Sequence, residues 1–258
     1  GFEALGAKAL VNDEAISITT KGELIGNEIY LDFPSVGATQ NIMMAATLAK
    51  GETIIENAAK EPEIVDLASF LSKMGARIKG AGTSTIVVDG VEKLTGTRHT
   101  IIPDRIEAAS YMLAAVMTKG DVTIKNVIGS HIRPVIAKLI EIGADVEEIE
   151  EEDIIFVKAP NRLRATNIQT LPYPGFPTDV QAQFMALLTL SDGESRIQET
   201  VFENRFMHVE ELSKMGAVIA TSGNRATIAG VEKLHGASVK ATDLRAGAAL
   251  VMAGLVAE

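Results

Sequence analysis

A chain of 258 residues with 47% hydrophobic composition can bury one large core or two ordinary ones, and it carries a formal charge of −10. That acidic balance excludes nonspecific attraction to nucleic acid, which needs clustered Lys and Arg. Having no cysteine, the chain has no disulfide framework, thiolate metal site or thiol nucleophile, which fits a reducing cytoplasm.

The opening stretch, GFEALGAK, has neither a basic start nor a long apolar segment, so no signal peptide is expected from it. TQNIMMAATLAK shows helical spacing, with Gly51 as the expected stop, and gives way to a short strand at TIIEN. A second helix is expected over PEIVDLASFLSKMG, ending at Gly75, and ARIKG, STIVVDG and RHTII then read as three strands. The acidic run VEEIEEED, from Val146 to Asp153, reads as a solvated turn between two short strands. In PYPGFPTDVQAQFMALLTL, Pro172 to Leu190, three prolines and a glycine stiffen the approach to Thr178 and Asp179, where an apolar helix begins. Both residues are good helix caps, so Asp179 reads either as a cap or as a carboxylate aimed at chemistry. The late apolar run AGAALVMAGLVA, Ala246 to Ala257, is twelve residues, short of the roughly 20 a membrane-spanning helix needs.

These elements repeat. Leu/Met/Ile-Gly-Ala occurs at Gly6, Gly75, Gly143 and Gly216, at intervals of 69, 68 and 73 residues. A second marker, TKGELIG, GVEKLTG, APNRLRA and GVEKLHG, places Leu24, Leu94, Leu163 and Leu234 at intervals of 70, 69 and 71. A third, KGETIIEN, KGDVTIKN and DGESRIQE, keeps the same register. The unit is βαβαββ, taken cyclically, and a unit of that length carrying both helices and strands points to compact multi-repeat α/β domains rather than a rod. Complete units start near residues 34, 103 and 177, with partial units at either end, so a fragment of a longer protein is expected.

PSVGATQNIMMAATLAKGETIIENAAKEPEIVD, FPTDVQAQF, ETVFENRFMHV and ATDLRA closely resemble the UDP-N-acetylglucosamine enolpyruvyl transferase family, along the whole chain. The resemblance implies an α/β (α+β) fold of two inside-out α/β barrel domains, each of three βαβαββ units, with the active site in the cleft between them. It implies transfer of the enolpyruvyl group of phosphoenolpyruvate to the 3-hydroxyl of UDP-N-acetylglucosamine, with release of phosphate, in bacterial peptidoglycan synthesis. On this pattern residues 1–102 are the later part of the first domain and 103–258 most of the second, with a thin crossing near 98–105. The family's lysine-asparagine pair, its proton-donor loop and several phosphate-gripping arginines would precede Gly1, and one more arginine would follow Glu258, so this chain alone is expected to be inactive. A noncatalytic fragment that binds a UDP-sugar or a protein is the alternative, and the sister shikimate-phosphate enzyme a weaker one, disfavoured by PSVGAT and ENRFMH.

Such chemistry needs a base at the hydroxyl, a proton donor at the methylene carbon and fixed positive charge around phosphate and carboxylate. By resemblance Asp179 accepts the hydroxyl proton, and Arg205, Asp243 and Arg245 surround phosphoenolpyruvate; an arginine fork grips such anions bidentately. Read without the family, the arginines are surface charges and Asp243 with Arg245 a local ion pair. Ser35, Val36 and Gly37 open a helix and by resemblance meet the UDP part, where a glycine lets backbone N–H groups approach an anion; an ordinary serine cap with a turn glycine is the alternative. Phe33 and Pro34 stand where some members carry a lysine, so the diphosphate finds its positive charge elsewhere. Val201 matches a backbone contact to the sugar nucleotide, and Asp104 with Arg105 opens the corresponding helix of the next unit, within reach of the nucleotide. His99, His131, His208 and His235 have no metal-ligand spacing and read as structural, and no glycine motif for ATP or NAD is present, so neither metal nor cofactor is expected.

Overall fold

The glycine of the first marker has a physical task at each turn of the repeat. Gly75, Gly143 and Gly216 lie at φ between 92° and 108°, directly after the C-cap residues Met74, Ile142 and Met215 of three helices. Only a residue without Cβ adopts that conformation cheaply, so each glycine ends a helix and turns the chain into the next strand.

The computed structural model describes residues 1–12 and 15–258, and the chain divides into two units, Gly1–Ile102 and Pro103–Glu258. The first opens with a hairpin of β1 (Lys8–Val11) and β2 (Ile16–Thr19). One complete βαβαββ unit follows: β3 (Glu28–Tyr30), α1 (Val36–Ala46), β4 (Glu52–Glu56), α2 (Pro62–Lys73), β5 (Arg77–Lys79) and β6 (Thr85–Asp89). Its sheet has the order β3-β4-β6-β5, with β3 parallel to β4 and the other pairs antiparallel. Ile42, Met43, Ile55, Ile64, Leu71 and Ile86 fill the space between its helices and the sheet.

The second unit contains α3 (Arg105–Met117), β7 (Asp121–Lys125), α4 (Arg133–Glu141), β8 (Asp145–Ile149) and β9 (Ile154–Lys158), the strands forming a sheet β7-β9-β8. Then come β10 (Asn167–Gln169), α5 (Gln181–Leu188), β11 (Glu194–Gln198), α6 (His208–Lys214), β12 (Val218–Ser222) and β13 (Arg225–Ala229), in a sheet β10-β11-β13-β12 with β10 parallel to β11. Helix α7 (Leu244–Gly254) closes the unit.

The layering is inside out, as expected from the resemblance. All eight residues of α5 are buried, as are eight of α3, and α3, α5 and α7 pack against one another. Strands β11 and β13 alternate between buried and exposed positions, so the sheets turn one face to the helices and the other to solvent. The sheets remain separate, and no closed barrel forms among the described residues.

Three local expectations need correction. Helix α1 ends at Ala46, before Gly51, where the Thr47, Leu48 and Ala49 N–H groups bond carbonyls three residues back and tighten the chain into turns; Gly51, at φ 92°, instead turns the chain into β4. RHTII forms no strand: β-branched residues favour extension, but a ladder needs a partner, and β7 pairs only with β9. The acidic run is strand in its first half, with the turn confined to Glu150–Asp153.

Candidate active site

The loop Leu171–Pro177 joins β10 to α5 and is closed on itself. The Leu171 N–H donates to the Phe176 carbonyl at 3.0 Å, and the Gly175 N–H to the Pro172 carbonyl at 2.9 Å. Gly175 is required by close approach, since a Cβ there would stand 2.4 Å from that of Leu171. Phe176 is buried and meets Phe184 of α5 edge to face, with centroids 5.6 Å apart. The Tyr173–Pro174 peptide is cis, and the Arg105 guanidinium stands 5.5 Å above the Tyr173 ring.

The loop delivers Thr178 and Asp179 on a short 3-10 turn, Thr178–Val180, and neither side chain caps that turn or α5. The Thr178 hydroxyl donates to Glu199 Oε2 at 2.9 Å. Asp179 Oδ1 accepts from Arg205 Nη2 at 2.8 Å, and its Oδ2 lies 3.1 Å from Arg245 Nη2. Its side chain is 39% exposed, against 11% for Arg205, so the carboxylate is reachable from solvent while the arginine beneath it is held. Arg205 is braced from another side by Phe202, its guanidinium carbon 4.5 Å from the ring centroid.

The corresponding helix starts behave differently. Ser35 Oγ accepts from the Ala38 N–H at the start of α1, Asp104 accepts from the Ile106 and Glu107 N–H groups at the start of α3, and Asp243 accepts from the Arg245 and Ala246 N–H groups at the start of α7. Asp243 and Arg245 therefore form no side-chain ion pair: Asp243 takes the backbone of its neighbour, while the guanidinium goes to Asp179. The structure thus brings Asp179, Arg205, Asp243 and Arg245 together in one unit, and Arg105 against the adjoining loop. Val201 lies beside them, but its N–H already donates to Glu199 Oε1 at 2.9 Å, so a ligand donor at this residue would meet its carbonyl. Ser35, Val36 and Gly37 belong to the other unit, where a Cβ added at Gly37 would touch nothing.

Two neighbours adjoin the cluster: His208, which the sequence reads as structural, and Glu199, which sequence reading missed. His208, 1% exposed, contacts Met185 Sδ at 3.2 Å. Burial pushes its imidazole down to about 4; the charge of Arg205 adds to this, against the opposing pull of Asp243 and of a hydrogen bond with the Arg205 backbone. Burial raises the Asp243 carboxyl, but the Ala246 and Arg245 N–H groups and the positive charge of Arg205 and His208 outweigh it and hold the group below its ordinary value. Both shifts are downward, so both groups add stability that is lost on acidification. For His208 that loss runs from its ordinary 6.5 down to about 4, worth on the order of 3 kcal/mol. For Asp243 it begins only below 3.8. Replacing His208 with leucine is therefore expected to flatten the fall of the unfolding midpoint between pH 6.5 and 4, measured by calorimetry. Glu199, the missed residue, stands where the third repeat marker has Asn57 and Asn126 in its other copies, and that departure was the available signal.

A family model for EPSP synthase (3-phosphoshikimate 1-carboxyvinyltransferase) matches residues 1–258. The chain belongs to the EPSP synthase family. Among the relatives of this family, it is 70% identical over 258 residues to the UDP-N-acetylglucosamine 1-carboxyvinyltransferase of Finegoldia magna, covering 100% of this chain and 61% of that protein. It is 62% identical, with the same coverage, to UDP-N-acetylglucosamine 1-carboxyvinyltransferase 2 of Carboxydothermus hydrogenoformans. The chain thus spans 61% of the length of these curated relatives. Among solved EPSP-synthase-like structures, the enolpyruvyl transferase NikO from Streptomyces tendae superposes with a TM-score of 0.87 at 25% identity, over 98% of this chain and 63% of that one. The EPSP synthase of Acinetobacter baumannii, at 22% identity, shares the fold with a TM-score of 0.69, over 99% of this chain and 62% of that one. No helix among the described residues is long and apolar enough to cross a membrane.

Proposed function

We propose that the enzyme carrying this chain transfers the enolpyruvyl group of phosphoenolpyruvate to the 3-hydroxyl of UDP-N-acetylglucosamine, releasing phosphate, as the first committed and cytoplasmic step of peptidoglycan synthesis. Residues 1–102 are then the later part of its first domain and 103–258 most of its second. The observation that carries the reading is Asp179: it forgoes the helix cap that Ser35, Asp104 and Asp243 make, and lies instead between two guanidinia. The 70% identity to a protein named for this reaction supports the choice of substrates.

In this mechanism Asp179 takes the hydroxyl proton as the sugar oxygen bonds to C2 of phosphoenolpyruvate, the C2–C3 double bond taking up a proton at C3 from the family's donor loop; loss of phosphate from C2 and of a proton from C3 then restores the double bond. Both of its oxygens are held by arginine, so one must be released before it takes a proton. The phosphate and carboxylate of phosphoenolpyruvate supply that release, since they compete for Arg205 and Arg245, and an arginine fork binds either anion bidentately. The same arginines then stabilise charge on the tetrahedral intermediate and on the departing phosphate. Asp243 caps α7 and so fixes the first turn from which Arg245 projects.

Activity of the full-length enzyme tests the reading: phosphate release dependent on both substrates is expected, and release with shikimate 3-phosphate in place of the UDP-sugar would move the protein to the sister reaction. The UDP part is assigned to the α1 start. Gly37→Ala is expected to leave stability unchanged or slightly raised, because alanine favours the helix by about 1 kcal/mol and its methyl meets no neighbour. UDP binding, followed by titration calorimetry, is expected to weaken about ten-fold as the methyl blocks approach to the backbone N–H groups.

A further inference from the structure

Resting on that reading, we infer that Glu199 is a positioning residue: its buried carboxylate sets where the general base stands relative to the loop that carries Arg205. Glu199 directly follows β11 and is 3% exposed. Its Oε1 accepts from the Thr170 hydroxyl at 2.7 Å, the Val201 N–H at 2.9 Å and the Phe202 N–H at 3.0 Å, while Oε2 accepts from the Thr178 hydroxyl at 2.9 Å. No lysine, arginine or histidine forms an ion pair with it among the described residues. Four neutral donors hold a group that would otherwise be expensive to bury.

Those donors come from two separate pieces of chain. Thr170 and Thr178 bracket the loop ahead of Asp179, and Val201 and Phe202 begin the segment that ends at Arg205. The two pieces are joined again by the Thr200 N–H donating to Thr170 Oγ1 at 2.9 Å, and by the Thr200 hydroxyl donating to the Thr170 carbonyl. The backbone of Glu199 is itself anchored: its N–H donates to the Asn224 carbonyl, and its carbonyl accepts from Asn224 Nδ2, both at 2.9 Å. One carboxylate therefore couples the turn bearing Asp179 to the loop bearing Arg205 and to the backbone of Val201. A carboxylate suits this task because it has only acceptors to offer, whereas an amide presents N–H groups on one side. In the other two copies of the marker, Asn57 and Asn126 occupy this position at φ 53° and 56°.

The test uses the full-length enzyme that carries this segment, with Thr178→Val, Glu199→Gln, the double variant and Asp179→Asn. Thr178→Val removes one arm at nearly constant shape and is the variant expected to fold best. Turnover should fall about 10- to 100-fold in each of the two single variants, as displacement of a catalytic group by about 1 Å requires. Sugar-nucleotide binding should change by less than about three-fold, with unfolding midpoints within a few degrees of the parent. The double variant should be no slower than the worse single one, because both remove the same coupling. Turnover of Thr178→Val within about two-fold of the parent would overturn the inference, as would losses that multiply in the double variant or that track lost stability. If those variants are normal while Asp179→Asn is inactive, only the role of Glu199 fails; an active Asp179→Asn removes the base and this inference with it.

Discussion

Asp179→Asn in the full-length enzyme is expected to lower turnover by about 10² to 10⁴-fold, the range for losing a general base, while the protein stays folded. The fold should survive because Asp179 caps no helix and its side chain is 39% exposed; ion pairs at such positions contribute about 0–1 kcal/mol. The amide keeps the shape of the carboxylate but offers no basic oxygen and turns N–H groups toward a guanidinium. UDP-N-acetylglucosamine binding should change far less than turnover, since the base acts after binding. Steady-state kinetics, calorimetric titration and a melting curve on one preparation separate the possibilities. Normal turnover would refute the base, and loss of folding would show a structural duty that the hydrogen bonds do not reveal.

Arg205→Lys is expected to cost about 10² to 10³-fold in kcat/KM for phosphoenolpyruvate, the effect of losing one electrostatic donor at a reacting centre. Charge is conserved in this change, so a loss measures geometry. Arg205 uses its planar group twice, donating to Asp179 Oδ1 at 2.8 Å and stacking on Phe202 at 4.5 Å. An ammonium is a compact, strongly hydrated point charge and cannot do both in the same way. Retention of full kcat/KM by the lysine variant would reduce Arg205 to a source of general positive field.

The repeat and the helix-strand order were legible because glycines at positive φ, apolar spacing and turn residues act locally, as at Gly75 and Gly143. What remained hidden depended on partners distant in the chain. Thr178 and Asp179 sit in a good capping sequence, yet Thr178 is drawn off by Glu199 and Asp179 by Arg205 and Arg245. RHTII has the composition of a strand and lacks an edge to pair with. His208 is buried, as a structural histidine can be, but nothing local reveals that Arg205 and Asp243 stand close enough to shift its titration. Nor does local pattern show that Gln181 and Gln183, in a helix read as apolar, are both fully buried in α5.

The uncapped start of α5 has an evolutionary reading. The repeat gives four helix starts, and three of them are capped by the side chain of Ser35, Asp104 or Asp243, whereas Pro177 and Val180 stand at the cap positions of the fourth. Giving up a cap forfeits about 1 kcal/mol, a loss best tolerated by a helix whose stability comes from packing on every side. All eight residues of α5 are buried, so it is the copy whose start can go uncapped at least risk to folding. Ancestral chains reconstructed before the copies diverged should therefore carry a capping aspartate or serine here, with catalytic use arising only after a deeply enclosed copy had made the cap dispensable.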